Sequence, residues 1–142
     1  MRLSRFIMIK SITVPTSHDP QSLFTILSDP VFVLPRLFPP IKQVNLEKDS
    51  FNAEGRFMLM RFSIHRNVLR GNNITYVFTL GSGNETGNGK LVIELQKGSV
   101  SLRFEFDGWM ERTSGLFMGK WFTEFGSKLD EEVRLERIKR KI

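Results

Sequence analysis

The sequence predicts an α+β domain, a curved antiparallel sheet of about seven strands wrapped around one long C-terminal helix. Three observations carry this. Apolar residues alternate with polar ones through most of the segment from Ile41 to Asp107. From Gly115 onward the apolar spacing changes to every four residues. Between an opening strand and the alternating region lie two short proline-started segments.

Phe6 to Val14 reads as the first strand, closed by Pro15. Asp19 and Pro20 open a helix, because an Asp side chain caps free N–H groups and Pro suits the first helical position. Leu23, Phe24 and Leu27 follow at helical spacing. Ser28-Asp29-Pro30 ends this helix or opens the next. Val31 to Phe38 is a short helical or irregular piece, limited by Pro35, Pro39 and Pro40. Ile41 to Glu47 is a strand, and Lys48-Asp49-Ser50 a turn. Phe51 to Ile64 forms one or two strands, with Met58, Met60, Phe62 and Ile64 on the inner parity and Phe57, Leu59, Arg61 and Ser63 on the outer. Ile74 to Leu80 places Tyr76 and Phe78 on one face. Gly81 to Gly89 reads as a flexible loop, rich in Gly, Asn and Ser. Leu91, Ile93 and Leu95 alternate next, then Leu102, Phe104 and Phe106. Phe117, Trp121, Phe125, Leu129 and Val133 form an apolar stripe on a helix from near Gly115 to near Arg137.

The chain has 142 residues, enough for one domain over 1–142. It has no cysteine, so disulfides and thiolate zinc sites are excluded. Lys10 and Ser11 interrupt the apolar start, and no run approaches the roughly 18 residues of a membrane span. A cytoplasmic protein is expected. The net charge of +6 suits nucleic acid, an anionic membrane surface or an acidic ligand. Basic residues crowd Lys128 to Lys141, but acids are frequent there too, the pattern of a solvated helix end. Transient contact with an anionic membrane surface is therefore retained as an expectation, and nucleic acid is not expected.

Phenylalanine is unusually frequent, with 13 Phe against one Tyr and two Trp, and six Met join them. Met beside Phe suits surfaces that accept varied apolar partners. The same composition also suits a solid Phe-rich core. Met58, Met60, Phe62, Tyr76, Phe78, Phe104 and Phe106 of the sheet are expected to converge on Met118, Trp121, Phe122 and Phe125 of the helix. Gly119 and Gly126 cost the helix about 1 kcal/mol each relative to Ala. Either a ligand or the sheet itself approaches the helix backbone there.

The order of elements resembles the START-like superfamily, also called helix-grip or Bet v 1-like. The resemblance rests on the opening strand, Leu23-Phe24-Thr25-Ile26-Leu27-Ser28-Asp29-Pro30, the prolines before Ile41, and the terminal helix. Length, lack of cysteine and the charged helix end are similar to a small group of START-like fatty-acid carriers from archaeal thermoacidophiles. The resemblance implies a hydrophobic cavity between sheet and helix that holds a long-chain fatty acid or similar apolar lipid, with no cofactor. An inward Arg would need an anion, since an unpaired buried charge is very costly. Arg66, Arg70 and Tyr76 are therefore the candidate carboxylate anchors, though an Arg at a strand end also reaches solvent.

Catalytic and metal signatures do not stand out. His18 and His65 are the only histidines, and HExxH, CxxC, a phosphate loop between strand and helix, and a nucleophile elbow are all missing. Two other functions stay in view. A polyketide cyclase or aromatase would need a general acid or base, for which Tyr76, Arg66 and His65 are the candidates. A basic nucleic-acid or protein-interaction module would need exposed aromatics among its cations.

Overall fold

The computed structural model describes residues 3–57, 59–83 and 85–142. In chain order its elements are β1 (Leu3–Pro15), α1 (Pro20–Leu27), α2 (Pro30–Leu37), β2 (Val44–Glu47), β3 (Ser50–Phe57), β4 (Met60–Arg70), β5 (Ile74–Ser82), β6 (Glu85–Gln96), β7 (Ser99–Glu111) and α3 (Arg112–Arg140). The seven strands form one antiparallel sheet in the order β1-β7-β6-β5-β4-β3-β2. This is the predicted α+β helix-grip architecture.

The helix starts follow local chemistry. Asp19 accepts the Ser22 N–H at 2.9 Å and Asp29 accepts the Val31 N–H at 2.9 Å, each followed by a proline at the first helical position. Asp29-Pro30 therefore opens α2. Inner-face residues of the sheet, among them Ile64, Val68, Tyr76, Phe78, Leu91, Ile93, Leu102 and Phe104, are almost fully buried. The buried face of α3, from Met118 through Phe122, Phe125 and Leu129 to Val133, closes on the same core. Helix α1 packs against β6 and α3, and α2 against β2 and α3.

Three expectations are corrected. The segment Gly81 to Gly89 is not a flexible loop, because β5 and β6 pair to their ends at Ser82 and Glu85. Two of its glycines, Gly87 and Gly89, are strand positions that receive aromatic rings, while Gly83 sits in the turn with a φ of +62°. A Cβ at Gly89 would stand 2.6 Å from the Glu105 carbonyl oxygen and within contact of the Phe78 ring. A Cβ at Gly87 would meet the Phe106 ring, and one at Gly55 would stand 2.7 Å from that of Phe62. Secondly, Phe51 to Ile64 takes the two-strand alternative, β3 and β4, with Phe57 opposite Met60, so Phe57 is not on the outer parity. The turn resets the parity and brings Phe57 to the inner face. Thirdly, Arg66 shares the register of buried Ile64 and Val68, yet a φ of +144° turns it out to solvent.

The helix glycines serve packing on β1. Gly115 lies on Phe6, Gly119 faces the Met8 sulfur, and Gly126 lies on the Ile12 side chain. Each permits α3 to approach the edge strand more closely than an alanine would.

Candidate functional site

Sheet and helix do not meet equally along their length. Towards α1 and α2 the core is solid. Phe78 and Phe104 stand edge to face at 5.7 Å, Phe104 and Phe122 at 5.5 Å, and Phe38 and Phe78 at 5.6 Å. Such pairs contribute about 0.5–1.5 kcal/mol each beyond area burial. Towards the tips of the β3–β4 and β5–β6 hairpins a cavity remains. Its wall is Phe38, Phe57, Met60, Phe62, Leu80, Ser82, Glu85, Phe106, Trp109, Met118 and Trp121.

The glycines explain why space survives in a Phe-rich interior. Phe62 lies across Gly55, and Phe106 across Gly87 and Gly108. These rings lie down on bare backbone and form a floor. On the opposite wall, Trp121 meets Phe57 at 5.0 Å and Phe38 at 6.5 Å, and Phe117 supports Phe57 at 4.9 Å. The cavity has a volume of ≈ 80 Å³. At about 30 Å³ per water in the liquid, that is room for roughly three waters. The cavity is open to solvent on one side, where Trp109 is 51% exposed and Leu59, beside the wall at the hairpin tip, is 97% exposed.

Of the sequence-predicted residues, Met60, Phe62, Phe106, Met118 and Trp121 come together on this wall. Tyr76, Phe78, Phe104 and Phe122 point inward as expected but lie in the solid core. Phe125 borders a different groove, between α2 and α3, which Arg36 and Glu132 bridge at 3.2 Å. Met58 falls outside the described residues. The wall residues that sequence reasoning missed are Phe38, Phe57, Leu80, Ser82, Glu85 and Trp109. Leu80 had a signal, since it continues the parity of Tyr76 and Phe78.

The anchor candidates are a correction. Tyr76 donates its hydroxyl to the Leu27 carbonyl at 2.7 Å, and burial raises its pKa well above the usual phenol value. Arg70 donates to the Ser28 carbonyl at 2.7 Å and pairs with Asp49. Arg66 is exposed, as is His65. None of the four lines the cavity. The polar groups of the wall are instead Ser82, whose hydroxyl donates to the Arg61 carbonyl at 3.1 Å, and the Glu85 carboxylate. Among the described residues no cluster of three or more His, Asp or Glu could hold a metal ion, and no helix is long and apolar enough to cross a membrane.

A protein-family model matches residues 8–142. No curated protein matches the chain in sequence. Among solved structures, the chain is similar to a hypothetical protein from Sulfolobus tokodaii, with TM-score 0.71, 27% identity, and 94% of this chain and 99% of that one covered. It is also similar to a START superfamily protein from Mycobacterium smegmatis, with TM-score 0.60, 16% identity and coverage of 91% and 97%. The Zhui aromatase/cyclase from Streptomyces sp. R1128 matches with TM-score 0.57, 13% identity and coverage of 98% and 97%.

Proposed function

This chain belongs to the START-like superfamily, and from that premise we propose that it is a cytoplasmic, non-enzymatic carrier of an apolar ligand, a long-chain fatty acid or similar lipid. Residues 1–142 act as one ligand-binding domain, and the ligand is taken from and returned to an anionic membrane surface. The observation that carries this reading is the aromatic- and methionine-walled cavity left between the sheet and α3. Its wall offers contact area and little chemistry. The fold itself accommodates catalysis, as the aromatase/cyclase among its neighbours illustrates. The carrier reading is favoured here because Tyr76, Arg66 and His65 all lie away from the cavity.

The energetics favour a tail-first ligand. Each buried methylene contributes about 0.8 kcal/mol, or roughly fourfold in affinity. Glu85 would repel a carboxylate drawn inward, so the headgroup stays at the open side. A chain of increasing length should gain affinity steeply until the space is filled. It should gain little thereafter, as the remainder emerges at the mouth.

Mass spectrometry of the natively purified protein tests the proposal, together with titration of straight-chain fatty acids followed by tryptophan fluorescence. Both tryptophans, Trp109 and Trp121, line the cavity, so binding should shift the emission. Leu80→Trp, which fills the space, should abolish binding in calorimetry while the melting temperature holds. Protein that carries no lipid, and whose emission and melting temperature ignore added fatty acid, would refute the carrier function.

A further inference from the structure

The β3–β4 hairpin ends in an arrangement that folding alone does not favour. Leu59 is 97% exposed at its tip and takes a φ of +69°, a left-handed conformation that a side chain adopts at a cost. Directly behind it, Arg56 and Arg61 stand opposite each other in the register, both exposed on the outer face of the hairpin. Like charges directly opposite across a ladder are destabilising. Glu54 lies one step further back on the same face, yet among the described residues neither arginine forms a salt bridge. Trp109, half-exposed on the same cavity, adds an aromatic ring of the kind that sits at lipid headgroup level.

We propose that the tip of the β3–β4 hairpin is a bilayer-docking element: Leu59 enters the interface of an anionic membrane while Arg56 and Arg61 bind lipid phosphates. Two outward arginines side by side, without a salt bridge among the described residues, gain their counter-charge at such a surface. Guanidinium groups match phosphate geometry bidentately. Phe57 and Met60 flank the tip and line the cavity, so docking presses the open side of the cavity against the lipid. The inference builds on the carrier reading by naming the surface through which it would load. Its test nevertheless reads vesicle binding apart from ligand binding.

The experiment is co-sedimentation with vesicles of phosphatidylcholine alone and of phosphatidylcholine mixed with phosphatidylglycerol. Wild-type protein should partition onto the mixed vesicles and lose that binding in high salt. Each of Arg56→Gln and Arg61→Gln should weaken partitioning about fivefold, the usual effect of one basic residue at an anionic surface. Leu59→Asp should also weaken it. Lys139→Gln with Lys141→Gln, which lowers net charge at the far end of α3, should change it little. The chain has no cysteine. Leu59→Cys bearing an environment-sensitive dye should therefore report a blue shift on mixed vesicles, which supports insertion without relying on a loss. Fatty-acid titration of Leu59→Asp in solution should match wild type; if wild type itself takes up no fatty acid while mixed vesicles still bind the dye-labelled variant, the carrier reading falls and the docking element stands. Sedimentation of Arg56→Gln and Arg61→Gln like wild type, equal binding to phosphatidylcholine alone, or a wild-type protein that ignores both vesicles would overturn the proposal. The last result would leave an acidic protein as the partner to seek.

Discussion

Three consecutive residues at the joint between α1 and α2 are each held by a different part of the chain. The Leu27 carbonyl accepts from Tyr76, the Ser28 carbonyl from Arg70, and the Asp29 carboxylate from Arg140 at 2.6 Å. Two of the residues that sequence reasoning offered as ligand anchors thus fasten helices to the sheet. Tyr76→Phe leaves a buried carbonyl without its donor and should cost about 1–3 kcal/mol in denaturant unfolding, with ligand affinity unchanged. Tyr76 also predicts a pH effect. Burial first, and the nearby Asp29 charge second, raise its pKa in the folded state. The stability linked to that proton is fully present below the unfolded value, about 10, and is lost as pH rises above it. Denaturation midpoints should therefore fall above roughly pH 10, and Tyr76→Phe should flatten the alkaline limb.

At the scale of elements, the β6 strand decides how aromatic volume is distributed. Gly87 and Gly89 let Phe106 and Phe78 settle onto the sheet. The floor of the cavity depends on this, because a ring pushed upright would fill the space above it. Gly89→Ala must displace both a ring and the Glu105 carbonyl, which is backbone and cannot swing aside. It should destabilise by about 1–3 kcal/mol, the cost of overpacking, seen as a lower thermal midpoint. Gly126→Ala meets side chains alone, chiefly the movable end of Ile12, and should cost less. The ordering of these two variants is the discriminating result.

The whole molecule divides into two ends. Where α1 and α2 support α3, rings interlock. Where α3 begins, beyond their reach, the hairpin tips leave the cavity open. Different outcomes are therefore expected for changes at the two ends. Phe104→Ala, in the solid end, should destabilise by about 3–5 kcal/mol. Trp121→Ala, on the cavity wall, should cost less stability and widen the space. It should let longer fatty acids bind before affinity levels off, as titration calorimetry would record.

Sequence alone determined the faces. Alternation put Met60, Phe62, Phe106 and Tyr76 on the inner side of the sheet, and four-residue spacing put Met118, Trp121 and Phe122 on the inner side of α3. The helix start at Asp19 was equally legible, because a cap acts over three residues, whereas Ser28-Asp29-Pro30 reads as an end or a start until the fold shows Asp29 capping α2. Depth along each element was decided only in three dimensions. Phe106 and Phe104 share a strand and a face, yet one borders the cavity and the other is locked in the core, since only one lies beneath the supported part of α3. Phe57 was misplaced because the reversal between β3 and β4 sets it opposite Met60, on the same face despite the opposite parity, and Glu85 and Trp109 became neighbours of the cavity only when the strand ends gathered around it. Periodicity records which side of the backbone a side chain leaves from; what it then meets depends on segments far away in the chain.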